Sequence, residues 1–134
     1  MKFLVLILMF TLAYAIQVPD HVMDNWESVL RPHVTQCICE TGVDEKDALN
    51  FLRRKHLPDK ACFKCYLKCL YFRANLIDGL GILRKDVILS KVKLLNEKLI
   101  DDCELHTQNE TDVCQKVYSF VTYGLKKIEE WSEV

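Results

Sequence analysis

The chain has 134 residues and a formal net charge of −1, with 18 Lys or Arg residues against 19 Asp or Glu residues. A chain of this length forms one domain with a modest core. The charge balance gives no electrostatic reason to expect nucleic acid or an anionic membrane as a partner. Half of the residues are hydrophobic and seven are cysteines. Whether these cysteines form disulfides or bind a metal depends on whether the protein is secreted.

The N-terminus has the pattern of a secretory leader. A positively charged start at residues 1–2 precedes an almost unbroken apolar run at residues 3–12, and Ala-Tyr-Ala at 13–15 suits signal peptidase. The apolar run is too short to span a bilayer as a mature helix. We therefore predict a signal peptide at 1–15, a secreted, extracellular domain at 16–134, and no integral membrane segment in that domain. After secretion the cysteines predict disulfides rather than a metal site.

Apolar residues at helical spacing predict helices from the start of this domain. The first helix opens near Pro19 and ends at Gly42, and Pro32 inside it predicts a kink or a break. Asp44 is placed to cap a short second helix, which carries Phe51 and stops before the next proline.

The second half continues the helical pattern. A third helix is predicted at about 59–74, a turn at 78–81, and an apolar stripe over 83–99 that forms one helix or two. The last helix begins near Thr111 and is apolar on more than one side, which places it in the middle of the molecule. No strand-like alternation is present. We predict an all-α fold, a compact disulfide-linked bundle of about six helices.

The cysteine cluster of the third helix is the most informative feature. Cys65 and Cys69 lie four residues apart, so on a helix they share one face and cannot bond each other without distorting it. They must reach two different partner segments. The seven cysteines are Cys37, Cys39, Cys62, Cys65, Cys69, Cys103 and Cys114. An odd total leaves at least one thiol unpaired within a monomer.

Three cysteine motifs together resemble a known family. They are Cys-Ile-Cys-Glu-Thr-Gly at 37–42, Lys-Cys-Tyr-Leu-Lys-Cys at 64–69 and Cys-Gln-Lys-Val-Tyr at 114–118. The chain resembles the insect odorant-binding proteins, the pheromone-binding and general odorant-binding proteins, over the whole mature domain. The resemblance implies the disulfides Cys37–Cys69 and Cys65–Cys114. It also implies a bundle that encloses a hydrophobic cavity for a small apolar molecule.

The chain departs from the family's third disulfide. Cys103 matches the fourth family cysteine, but Tyr123 stands where the sixth is expected, and Cys39 and Cys62 are additional. We interpret Cys39 and Cys62 as a pair that leaves Cys103 unpaired. A Cys39–Cys103 bond and an intermolecular disulfide remain open alternatives.

The resemblance also implies which residues bind the ligand. The family positions correspond here to Leu30, Leu67, Tyr71, Val117 and Phe120. We add Leu83 and Val87 from the mid-chain stripe, and Tyr123, which replaces the sixth family cysteine. The ring of Tyr123 is expected to narrow the cavity or to fill the gap left by the absent disulfide. Tyr71, Tyr118 and Tyr123 are candidates to offer a hydroxyl to an alcohol, aldehyde or ester.

The resulting functional hypothesis is carriage rather than catalysis. We predict a secreted carrier of odorants, pheromones or related lipids that needs no cofactor or metal, acts as a monomer or homodimer and delivers its ligand to an olfactory receptor. No enzyme is predicted, because neither a calcium loop with a His-Asp pair nor a Ser-His-Asp grouping is present. The alternative is a salivary, venom or haemolymph protein of the same fold that sequesters a mediator or binds a protein partner. Asn109 begins a possible N-glycosylation motif.

Overall fold

The computed structural model describes residues 18–132, and this part of the chain is mainly helical, with loops between the helices. The α-helices are α1 Asp20–Leu30, α2 Val34–Thr41, α3 Glu45–Leu49, α4 Ala61–Arg73, α5 Lys85–Lys91, α6 Glu97–Thr107 and α7 Val113–Ser132. A single 3-10 turn, Arg31–His33, joins α1 to α2, so the two count as one kinked segment among six. The predicted all-α fold is confirmed. The predicted signal peptide at 1–15 lies outside the described residues.

Local sequence signals set the boundaries of the first helices. Pro32 lacks an N–H and lies in the 3-10 turn, where the predicted kink occurs. Gly42 ends α2 in a left-handed conformation with φ 65°, which suits a residue without a Cβ. The Asp44 carboxylate accepts a hydrogen bond from the Lys46 N–H at 2.9 Å and caps α3. α3 is shorter than predicted, because it ends at Leu49 and leaves Phe51 in the following turn.

The mid-chain stripe forms two helices rather than one. The chain leaves α5 at Val92, and Leu94 adopts φ 72°, a left-handed conformation that a continuous helix excludes. The Asn96 side chain then accepts a hydrogen bond from the Leu99 N–H at 2.9 Å and caps α6. Residues 92–96 therefore form a loop that connects α5 to α6.

The core is built around α4 and α7. Both helices bury large side chains completely, and Tyr66, Leu67 and Val117 are at most 1 % exposed. The disulfide Cys65–Cys114 joins α4 to α7, and Cys37–Cys69 joins α2 to α4. These are the two bonds that the family resemblance implies. One helix, α4, is thus clamped to two others, as the spacing of its cysteines requires.

The three remaining cysteines are free thiols in the structure, and the predicted Cys39–Cys62 bond is not formed. Cys37 is fully buried against α4, and Cys39 lies two residues further along α2. Two residues correspond to about 200° around a helix, so Cys39 points away from α4 and is exposed. This geometry separates it from the exposed Cys62 on α4. Cys103 is free and buried.

The helices and the exposure of Asn109 relate to the predicted absence of a membrane segment and to the predicted glycosylation. Across residues 18–132, every helix is too short or too polar to cross a bilayer. Asn109 is exposed in the turn between α6 and α7, so its side chain is accessible; its glycosylation remains a prediction.

Candidate ligand-binding cavity

An apolar cavity of about 120 Å³ lies among the helices. Its wall contains Trp26, Val29, Leu30, Phe51, Leu52, Tyr71, Leu76, Leu83, Ile88, Val92, Leu95, Leu99, Ile100, Cys103, Phe120, Val121, Gly124, Leu125 and Ile128. None of these side chains carries a charge at neutral pH. The space is much larger than the roughly 10–15 Å³ that a single water molecule needs. The cavity therefore suits a small apolar molecule.

Residues of α1 hydrogen-bond to the α5–α6 loop, which contributes Val92 and Leu95 to the cavity wall. The Trp26 indole Nε1 donates a hydrogen bond to the Lys93 carbonyl at 2.9 Å. The Asn25 amide donates to the Lys91 carbonyl at 3.1 Å and accepts from the Lys93 N–H at 2.8 Å. Because these bonds bind the backbone on either side of Val92, at the end of α5 and in the loop, they hold this wall residue in place.

The turn after α3 is held by a buried carboxylate. Asp47 is 7 % exposed, and its two oxygens accept hydrogen bonds from His56 Nε2 and Lys60 Nζ, each at 2.8 Å. The hydrogen bond from Lys60, and then that from His56, lowers the pKa of Asp47 below its usual value. Phe51 of the same turn packs edge-on against Phe63 of α4, with ring centroids 5.9 Å apart. The cluster thereby positions Phe51 in the cavity wall.

Acid is expected to weaken this cluster. A carboxylate whose folded-state pKa is lowered contributes stability above its unfolded-state pKa of about 3.9, and the contribution is lost as the pH falls through the folded-state value. Asp47→Asn should therefore melt below the wild type at neutral pH, with the difference in Tm shrinking below about pH 4. Thermal unfolding followed by circular dichroism over that pH range tests this. A difference in Tm that stays constant into strong acid would contradict the assignment.

Three wall residues carry polar side-chain atoms: Tyr71, Cys103 and Trp26, whose indole N–H already donates to the Lys93 carbonyl. Burial, with a smaller contribution from nearby Cys103, raises the pKa of Tyr71. Burial likewise raises the pKa of Cys103 to about 11. Both groups are therefore neutral at physiological pH. The thiol makes only a long contact of 4.0 Å with the Phe120 carbonyl.

Four of the eight residues expected in the wall lie there: Leu30, Tyr71, Leu83 and Phe120. Leu67 and Val117 do not. They lie two and three residues past the bonded cysteines Cys65 and Cys114, whose Cα atoms are 4.6 Å apart and where α4 and α7 are therefore close. Both side chains are fully buried in solid core. Tyr71 and Phe120 each lie six residues past the same two cysteines. The cavity thus begins nearly two helical turns beyond the cross-link.

Val87 and Tyr123 also lie outside the wall. Val87 packs against the core, and its neighbour Ile88 faces the cavity instead, so α5 is rotated by one residue from the expected orientation. Tyr123 stacks on the His106 ring of α6, with centroids 4.2 Å apart and planes inclined by 16°. The aromatic ring thus bridges α6 and α7, which the family's third disulfide would have linked, and it does not narrow the cavity.

Tyr118 is also removed from the set of candidate hydroxyls. Its hydroxyl donates a hydrogen bond to the Leu57 carbonyl at 3.0 Å, and its ring lies outside the cavity wall. Among the three tyrosines considered from the sequence, Tyr71 is the one that reaches the cavity.

Most of the wall could not be assigned from the sequence. Trp26 and Leu125 belong to apolar stripes that the helical periodicity identifies, but periodicity does not distinguish solid core from cavity lining. Leu76 lies outside the helices, so no helical pattern points to it. Leu95 belongs to the apolar stripe over 83–99, but it lies in the α5–α6 loop rather than in a helix. Gly124 has no side chain, so the sequence pattern carries no signal that this position is buried.

The sequence is similar to those of known proteins. Residues 20–122 match the sequence model of the PBP/GOBP family. The chain belongs to this family. It is also similar to odorant-binding protein 10 of Aedes aegypti, with 27 % identity over 107 residues that cover 73 % of this chain and 76 % of the relative. Members of the family are insect odorant-binding proteins, which bind small hydrophobic ligands and are not enzymes.

A solved structure supports the fold independently. The crystal structure of the medfly odorant-binding protein CcapOBP22/CcapOBP69a matches with a TM-score of 0.53 and 20 % identity, covering 77 % of this chain and 94 % of that one. At this identity the likeness establishes the arrangement of helices.

Proposed function

We propose that this protein is a secreted carrier that binds small hydrophobic molecules in extracellular fluid and transports them in its cavity. Membership of the PBP/GOBP family supports a binding role. The leader-like residues 1–15 and the two disulfides support export to an oxidising compartment. Transport then consists of taking up a poorly soluble odorant, pheromone or related lipid and releasing it at a receptor or membrane.

The observation that carries the proposal is the cavity of about 120 Å³ with an uncharged wall. Burial of apolar surface contributes about 25 cal/mol per Å², without demanding a particular orientation of the ligand. A ligand of roughly ten non-hydrogen atoms reaches micromolar affinity at about 0.8 kcal/mol for each atom, which lies within the range that small ligands attain. The cavity can therefore provide useful affinity by hydrophobic contact alone.

A displacement titration tests the proposal. The oxidised mature protein is loaded with a fluorescent apolar probe, and alcohols, ketones, esters and alkanes of increasing chain length are added. We expect displacement at micromolar concentrations by molecules that fit the cavity. A protein that binds neither the probe nor any of these compounds would contradict carriage, provided that circular dichroism shows it to be folded.

A further inference from the structure

The polarity of the cavity wall restricts the chemical class of the ligand. The wall contains no Lys, Arg or His residue and no carboxylate within the part of the chain that the structure describes. Transfer of an ionised carboxylate from water to an apolar site without a charged partner costs several kcal/mol of binding free energy. Burial of a few methylenes does not offset this cost. An ionised fatty acid is therefore disfavoured although its chain suits the wall.

The Tyr71 hydroxyl is the polar group available to a ligand. It makes no hydrogen bond to any residue in the range 18–132. It is nevertheless not one of the fully enclosed polar atoms that lack a partner, so a small molecule can reach it. A phenolic hydroxyl both donates and accepts one strong hydrogen bond. The other wall groups that bear polar atoms are already engaged or are weak donors. Trp26 donates to the Lys93 carbonyl at 2.9 Å, and Cys103 offers only a thiol.

We propose that the cavity selects neutral, largely apolar molecules that carry one hydrogen-bonding oxygen, and that Tyr71 binds this oxygen. A ketone, aldehyde, ester or alcohol fits this description, whereas an alkane lacks the oxygen and a carboxylate adds a charge. The carbonyl compounds fit best because they accept the hydroxyl proton and bring no donor that needs a partner of its own. This assignment rests on the proposed carrier function and specifies the ligand for that same cavity.

A matched ligand series tests the assignment. Decane, 2-nonanone, 1-nonanol and octanoate have the same number of non-hydrogen atoms, so they differ in polarity and charge while their size changes little. At neutral pH the ketone is expected to bind the wild type about fivefold more tightly than decane does, through one neutral hydrogen bond. Octanoate is expected to bind on the order of a hundredfold more weakly than the ketone.

Tyr71→Phe removes the hydroxyl and keeps the ring. The variant should bind the ketone about fivefold more weakly while its affinity for decane is unchanged. Tyr118→Phe is the control, because it removes a hydroxyl that donates to the Leu57 carbonyl outside the cavity. It should leave the ketone-to-decane ratio as in the wild type.

The outcomes separate this inference from the proposed function. If all four ligands bind the wild type equally, the carrier function stands and the selectivity is wrong. An unchanged ketone-to-decane ratio in Tyr71→Phe would overturn the role of Tyr71, and tight binding of octanoate would overturn the preference for neutral ligands. Failure of every ligand to bind the folded wild type would overturn both proposals.

Discussion

Gly124→Leu is expected to weaken ligand binding by roughly fiftyfold, whereas Gly124→Ala is expected to preserve it. Gly124 lies inside α7 and in the cavity wall. A Cβ at this position would lie 3.7 Å from the Cys103 Sγ, an ordinary contact, so alanine fits without strain. Leucine adds three carbons beyond that Cβ in the space that the ligand uses. With about 0.8 kcal/mol for each displaced methylene, the loss is about 2.4 kcal/mol.

The alanine variant controls for the effect of the backbone. Both substitutions remove a glycine from a helix interior, which contributes about 0.5–1 kcal/mol of stability in the case of alanine. Only leucine enters the cavity. The measurements are the dissociation constant for a neutral ligand such as 2-nonanone and the Tm of each variant. Equal affinity of the leucine variant and the wild type would show that ligands bind elsewhere.

Removal of the Cys65–Cys114 disulfide is expected to cost about 4 kcal/mol of unfolding free energy. The bond joins residues 49 positions apart. The chain-entropy relation for a loop of that length gives a loss of about 4 kcal/mol in Cys65→Ala/Cys114→Ala. The whole domain is stabilised by only about 5–15 kcal/mol, so the variant is marginal. Because α4 and α7 both contribute to the wall, binding should also weaken.

Urea unfolding of the wild type and the double variant measures this loss. Cys39→Ala/Cys62→Ala is the matched control, because it replaces two exposed free thiols instead of a bonded pair. The control is expected to change the unfolding free energy by less than about 0.5 kcal/mol. A Cys65–Cys114 variant that unfolds at the same urea concentration as the control would contradict the role of the bond as a clamp.

The order of the helices follows from local signals in the sequence. Proline at 32, glycine at 42 and the cap at Asp44 act within a few residues, so they predict where helices bend, end and begin. The α5–α6 loop is different. Asn25 fixes it from 66 and 68 residues away, through bonds to the backbone of Lys91 and Lys93. A single sequence contains no sign of such a contact.

The sequence does not show which apolar residues line the cavity. An apolar side chain that touches core and one that faces a cavity have the same pattern in sequence, as Leu67 and Tyr71 show on neighbouring turns of α4. The two residues differ in their distance along α4 from the bonded Cys65, and residue type does not encode that difference. The sequence itself shows that Tyr123 replaces the sixth family cysteine. Its consequence, a stack on His106, depends on how α6 meets α7.

A ligand that carries its own marker locates the binding site directly. Crystals of the oxidised protein grown with a bromine-tagged long-chain ketone would give an anomalous peak at the bromine position. We predict that the peak lies inside the bundle in contact with Phe120 and Leu125, and that the carbonyl oxygen lies within hydrogen-bonding distance of the Tyr71 hydroxyl. A peak on the outer surface, with the cavity empty at a concentration that saturates binding in solution, would contradict the account.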